Sequence, residues 1–246
     1  MFLSLCSGGD RMERVPLGID KLDKLIEGGI PRGFSVALLG VPGTYKSLFS
    51  RIFASEGLMR GEPVIYVTYD RSPEMVREAL RGIIAARGGS PDLVEKLHLV
   101  DCWSWRIRRA AEEEGVSNPV DFQNVYRRLK EISSSEKNGR LVLDSLTGVI
   151  SVSHGETQRE ISEVFKVLKA MLKQNGYTQL YILYSNVYKK MIGPLLYCMD
   201  GIFRFRRKLE DNRYRYYISV DRLFLTEHPS ELIEFVPSKN DIKLLI

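Results

Sequence analysis

The stretch Phe34-Ser35-Val36-Ala37-Leu38-Leu39-Gly40-Val41-Pro42-Gly43-Thr44-Tyr45-Lys46-Ser47 decides the fold. Phe34 to Leu39 is an apolar run of strand length without alternation, the pattern of a strand buried on both faces of a parallel sheet. Gly40 to Lys46 reads as a loop, and a helix follows to about Arg60. Gly40, Lys46 and Ser47 fit the spacing G-x-x-x-x-G-K-[ST], a loop whose backbone N–H groups turn inward on a phosphate with a helix N-terminus behind them. Lys46 would meet terminal phosphates as a point charge. The Ser47 hydroxyl would ligate Mg²⁺, which takes oxygen ligands and keeps several waters.

Tyr45 breaks the pattern. That place calls for glycine, because the backbone there runs close against the phosphate, and a positive φ is unfavourable for a bulky residue. Two readings follow. Either the loop still holds a nucleotide with Tyr45 turned outward, or Tyr45 fills the pocket and the site is a remnant.

Working outward, Ile19, Leu22 and Ile26 share one face of a short helix over 18–27 that Gly28-Gly29 ends. Val64 to Tyr69 is a second buried strand. Ser72-Pro73-Glu74 is a helix start, with a hydroxyl cap, a first-turn proline and an acid near the positive end. Ser90-Pro91-Asp92 repeats it. His98 to Asp101 reads as a third strand, a helix falls near 121–132, and Arg140 to Asp144 is a strand ending on an aspartate. Residues 103–118, where tryptophans, Arg106, Arg108 and Arg109 lead into Glu112, Glu113 and Glu114, resist assignment.

Thr157 with Glu160 forms a capping box for a helix that Gly176 closes, and Gln179 to Tyr184 is a strand ending at Ser185-Asn186. After Gly201 the pattern alternates. Ile202–Arg207 and Tyr214–Val220 make a hairpin around Glu210-Asp211-Asn212, with two short strands near 231–236 and 242–246. The fold class is therefore α/β: a mostly parallel central sheet flanked by helices, with antiparallel C-terminal strands.

Composition bounds the rest. Among 246 residues, 44% are hydrophobic and 27% charged, which excludes fibrous, collagen-like and wholly disordered chains. A net charge of +5 permits nucleic-acid contact without arguing for it. Cys6, Cys102 and Cys198 are too scattered for a disulfide framework or a zinc site and suit a reducing compartment. No apolar run reaches the roughly 18 residues needed to span a membrane, and Met1 to Cys6 lacks the basic start of a signal peptide. The expectation is a soluble cytoplasmic protein, with residues 1–14 a tail, Met12 a candidate natural start, and 15–246 one domain.

With these segments in place, the chain resembles the KaiC-like branch of the RecA-superfamily ATPases, in its archaeal-type single-domain form. Val15-Pro16-Leu17-Gly18-Ile19-Asp20-Lys21-Leu22-Asp23 is similar to that family's T-G-I-x-x-L-D opening. Gly28-Gly29-Ile30-Pro31-Arg32-Gly33 is similar to its G-G-[LI]-P-x-G. The phosphate loop, Tyr66-Val67-Thr68-Tyr69 with Ser72-Pro73-Glu74, Leu143-Asp144-Ser145-Leu146 and Asp200-Gly201-Ile202 follow in family order. The resemblance implies a RecA-like P-loop core, ATP and Mg²⁺ as cofactors, and a homo-oligomer or a RecA-family partner subunit, with nucleotide between subunits. It gives Gly40, Pro42, Gly43, Thr44, Tyr45, Lys46, Ser47 and Asn186 to the nucleotide, with Asn186 sensing the terminal phosphate, and Ser47 and Asp144 to Mg²⁺. A strand-end aspartate also caps a turn, as does an asparagine beginning a loop.

The chain departs from the family at three places. Where the family carries two adjacent acids that polarise the attacking water, this chain has Asp70-Arg71, which reads equally as a salt-bridged turn. Where the family places Lys-x-Arg to reach a neighbour's phosphates, Arg222 remains but Val220 replaces the lysine. With Tyr45, three changes touch one reaction, and the expectation is a hydrolysis-poor regulatory or assembly subunit.

Much of the positive charge lies on the C-terminal hairpin, away from the phosphate loop in this reading. Arg204, Arg206, Arg213 and Arg215 interleave with aromatics there, a pattern that grips single-stranded nucleic acid or furnishes the charged face of an edge strand. The first gives the alternative function: an active ATP-dependent DNA-recombination or repair accessory protein. A pure protein-interaction module is the third reading.

Overall fold

The computed structural model describes residues 12–104, 122–152 and 158–246. The Arg106–Arg109 cluster and the Thr157 cap lie outside them. The strands are β1 (Arg14–Val15), β2 (Ile30–Pro31), β3 (Ser35–Gly40), β4 (Val64–Thr68), β5 (Leu97–Asp101), β6 (Arg140–Asp144), β7 (Thr178–Tyr184), β8 (Gly201–Glu210), β9 (Arg213–Leu223), β10 (Ile233–Pro237) and β11 (Ile242–Leu244). The helices are α1 (Asp20–Leu25), α2 (Lys46–Met59), α3 (Pro73–Ala86), α4 (Phe122–Ser135), α5 (Leu146–Val152), α6 (Gln158–Gln174) and α7 (Lys189–Tyr197).

Nine strands form one sheet in the order β11-β10-β9-β8-β3-β7-β6-β4-β5. From β8 to β5 every pairing is parallel, and from β8 to β11 every pairing is antiparallel. The expected parallel sheet with an antiparallel C-terminal edge is what forms. β3 lies between β7 and β8 and is buried along its whole length, which is why its sequence does not alternate.

Side chains of each parallel strand point alternately to two helical layers. Val36, Leu38, Tyr66 and Ile182 meet Phe49, Phe53, Val76 and Leu80 of α2 and α3 on one face. Ala37, Leu39, Val67 and Leu183 meet Leu129, Val149, Phe165 and Leu195 of α4, α5, α6 and α7 on the other. Ser72 caps α3 as expected, its hydroxyl accepting from the Met75 N–H.

Three differences from the sequence reading have physical reasons. The Ser90-Pro91-Asp92 start opens a 3₁₀ segment, Pro91–Lys96, which runs straight into β5. α5 and α7 carry weak helical signals, α5 because Val149, Ile150 and Val152 favour strands and α7 because it contains Pro194. They are helical because packing on the sheet overrides propensity. The two-residue ribbon β1–β2 draws Arg14 into the fold, opposite Pro31. Gly29 permits that ribbon, since a Cβ there would stand 2.3 Å from the Val15 carbonyl oxygen.

Candidate nucleotide site

Parallel strands end together, and loops leaving that edge can converge. Gly40 pairs with Tyr184 and Thr68 with Asp144, so the phosphate loop, Asp70, Asp144 and Ser185-Asn186 leave from one edge. Asn186 is exposed in the turn after β7.

Gly40 is required by contact. A Cβ there would stand 2.5 Å from the Phe205 carbonyl oxygen of β8. Gly43 has φ +78°. The Thr44 hydroxyl donates to the Val41 carbonyl at 2.8 Å. Tyr45 precedes α2 in the left-handed conformation, φ 65° and ψ 20°. A tyrosine holds here the backbone shape that glycine would adopt freely, at a cost of about 1–2 kcal/mol. Its ring is partly exposed and rests on Tyr216 of β9, edge to face, with centroids 4.9 Å apart.

Lys46 is buried. Its ammonium donates to the carbonyls of Gly40 (2.9 Å) and Val41 (2.8 Å) and lies over the Tyr184 ring. Burial pushes its pKa down to about 8, partly opposed by Asp144. The Ser47 hydroxyl donates to Asp144 Oδ1 at 3.3 Å, and the Tyr66 hydroxyl donates to Asp144 Oδ2 at 2.8 Å. Burial raises the Asp144 pKa against the Tyr66 hydrogen bond, and Asp70 raises it further. Burial and the Asp144 charge keep the Tyr66 phenol protonated as a permanent donor. Ser47 and Asp144 together offer the hard oxygens that Mg²⁺ takes, so the residues fit that ion.

Asp70 Oδ2 accepts from the Ser145 hydroxyl at 2.9 Å. Arg71 is exposed. Arg222 is not brought to this edge. It pairs with Ile202 near the start of β8, and its guanidinium donates to the Leu196 and Met199 carbonyls at the C-terminal end of α7, at 2.8 and 2.7 Å. Val220, where the family lysine was expected, faces the core.

The hairpin position is a correction. β8 lies beside β3 and runs on past Gly40, so the basic hairpin stands next to the phosphate loop rather than away from it. Phe203 and Phe205 point inward while Arg206 is exposed, as period 2 requires. Arg204 meets Asp221 at 2.5 Å, Arg215 meets Glu210 at 3.1 Å and Glu234 at 3.3 Å, and Arg206 reaches the Ser219 hydroxyl at 3.4 Å. Arg213, beside the turn, is exposed. These partners compensate much of the hairpin's charge internally, but the edge-strand expectation is corrected, because β8 and β9 lie inside the sheet between β3 and β10.

Sequence reading gave no place at this site to Tyr66, Tyr184, Arg207 or Tyr216, although it set Arg207 and Tyr216 on the basic hairpin. The signal for Tyr66 was a phenol at alternate spacing within an apolar strand. The others required the strand order. Among the described residues no group of three His, Cys, Asp or Glu side chains is placed to hold a metal, and no helix is long and apolar enough to cross a membrane.

Residues 15–245 match the family described as the KaiC ATPase. A UPF0273 protein of Methanopyrus kandleri is 31% identical over 78% of this chain and 76% of its own length. A UPF0273 protein of Thermotoga maritima is 30% identical over 88% of this chain and 89% of its own. The crystal structure of a KaiC-like protein from Pyrococcus horikoshii superposes with a TM-score of 0.73 at 26% identity, covering 96% of this chain and all of that one. The loop on its strand, the Ser47–Asp144 pair and a match running almost from end to end agree: the chain belongs to the KaiC ATPase family.

Proposed function

We propose that this chain binds ATP with Mg²⁺ and hydrolyses it poorly, serving as a regulatory or assembly subunit. The observation that carries the binding half is the outward Tyr45 ring. The loop keeps a left-handed residue before α2, and the ring that would crowd a phosphate rests on Tyr216. Gly40, Pro42, Gly43, Thr44 and Lys46 would surround the phosphates, with Asn186 across the same edge. Ser47 and Asp144 would hold Mg²⁺, which when bound neutralises charge developing on the phosphates. Lys46 would exchange its two loop carbonyls for phosphate oxygens.

The hydrolysis half rests on what surrounds the attacking side. A single acid, Asp70, stands where a pair is expected, and its carboxylate already accepts from Ser145. Its neighbour is the cation Arg71. Arg222, the remaining candidate for a cation acting across a subunit boundary, is engaged by the carbonyls ending α7.

Titrating ATP with Mg²⁺ against the purified chain, with turnover measured beside an active KaiC ATPase, tests both halves. Saturable binding with turnover at least a hundredfold below the active enzyme is expected, a barrier difference of roughly 2.7 kcal/mol. Turnover at the active enzyme's rate would refute the second half, and no binding would refute the first.

A further inference from the structure

We propose that Arg207 is a phosphate ligand supplied in cis, the sole cation that the hairpin aims at the loop. This rests on the nucleotide reading above and names a contact that the phosphate-loop motif does not contain.

The geometry begins with strand order. β8 is the immediate neighbour of β3, and Gly40 pairs with Phe205. Two residues further along β8, Arg207 has the parity of Phe203 and Phe205 and so emerges on the α2 face, beside the loop. Its guanidinium nitrogen lies 3.0 Å from where a Cβ of Gly43 would stand. A side chain at Gly43 would press on that guanidinium and make it shift. Across the hairpin, Arg207 pairs with Tyr216, the residue on which Tyr45 rests, and its guanidinium sits over the Tyr214 ring at 4.9 Å. A ring beneath the planar fork holds its orientation while leaving its N–H donors available.

Charge accounting sets it apart from its neighbours. Arg204 and Arg215 face carboxylates, whereas Arg207 has no carboxylate within ion-pair distance among the described residues. An exposed, oriented, uncompensated guanidinium beside a phosphate-binding loop is suited to a bidentate contact with phosphate oxygens. Tyr45 contributes indirectly. By resting on Tyr216 it ties the loop to the strand pair that carries Arg207.

The test uses inorganic tripolyphosphate, which has no base, beside ATP with Mg²⁺, each titrated by calorimetry against the full chain. Arg207→Ala should weaken both ligands by about tenfold or more, the loss of a charge-assisted hydrogen-bond pair. Arg207→Lys should recover only part, because a point charge replaces a fork. Lys208→Ala removes the same unit of charge from the neighbouring residue, which stands over Tyr217, and should leave both affinities unchanged. Thermal unfolding of each variant confirms its fold. If Arg207→Ala binds like the wild type while Lys46→Ala does not bind, the inference fails and the nucleotide reading stands. If the wild type binds neither ligand, both fall.

Discussion

Tyr45 and Tyr216 meet edge to face at an interplanar angle of 88°, joining the phosphate loop to the C-terminal hairpin. The pair sets two energies against each other when Tyr45→Gly is made. Glycine removes the left-handed cost of about 1–2 kcal/mol. It also loses an aromatic pair of about 0.5–1.5 kcal/mol and adds entropy to the unfolded chain of about 0.5–1 kcal/mol. Stability in urea should therefore change by less than about 1.5 kcal/mol. With the ring held on Tyr216, ATP affinity should move by less than about threefold, or roughly 0.6 kcal/mol. A rise of tenfold would show that the ring crowds the phosphates.

Lys46 titrates near pH 8 rather than 10.5 because it is buried. Its folded pKa is depressed, so its contribution to stability is present above 10.5 and is lost as pH falls through about 8. A bound phosphate would favour the ammonium and raise the pKa again. Nucleotide affinity should then decline as pH rises above about 8, approaching tenfold per unit, with a proton taken up on binding. Calorimetry at pH 9 in two buffers of different ionisation enthalpy reads that proton directly. Equal heats in the two buffers would contradict it.

Ser47 and Asp144 predict a metal-dependent component of binding. In Ser47→Ala and Asp144→Asn the improvement in nucleotide affinity on adding Mg²⁺ should shrink to near nothing, while affinity in EDTA stays close to wild type. Asp144→Asn should also be tolerated structurally. Burial raises the Asp144 pKa, so its ionised form costs stability that the neutral amide does not. That cost appears as pH rises through the raised folded pKa, and the variant's relative stability should improve in the same direction.

Asp23 anchors the turn before α1. Its carboxylate accepts from the backbone N–H groups of Leu17 (2.7 Å), Gly18 (3.1 Å) and Ile19 (3.2 Å), yet burial lifts its pKa to about 6. Its folded pKa is raised, so stability is full below 3.8 and declines as pH passes through about 6. Asp23→Asn should gain on the wild type by about 2–3 kcal/mol between pH 4 and pH 7 in urea unfolding. Asp23→Ala leaves the amides without an acceptor and should lose about 1–3 kcal/mol at pH 4.

Arg140 is fully buried, ion-paired to Glu62 at 2.6 Å and donating to the Pro16 and Phe53 carbonyls. Removing one partner of such a pair strands the other, so Arg140→Ala should cost about 3–5 kcal/mol. Gly57 makes room for it, since a Cβ there would lie 2.6 Å from Arg140 Cδ. Gly57→Ala should therefore destabilise the fold despite improving helix propensity, as thermal unfolding would read.

The parallel core was legible because its strands are uniformly apolar and its loop carries a spaced motif. Val36 to Leu39, Val64 to Val67 and Leu141 to Leu143 needed no partners to be recognised as buried strands. The helix boundaries at Pro73 and Gly176 were legible because capping chemistry is local. What could not be read depends on which strand lies beside which. Arg207 and Gly43 are distant in sequence, and only the β8–β3 pairing makes them neighbours. Nor could a linear motif show where the Tyr45 ring would go, because that depends on Tyr216 across the hairpin. α5 and α7 were hidden because their composition argues against helix and only packing supplies it.

Gly40 presses against the carbonyl of Phe205 so closely that not even a methyl group fits between them. The loop and the hairpin are thus one moulded part, cast from two stretches far apart in the sequence. A chimera that joins the first 185 residues of this chain to the closing strands of a relative would keep the Tyr45 ring and Gly43 and would need those strands to supply the aromatic rest and the cation that face them. Recombination between such relatives has to carry both ends together or rebuild the seam.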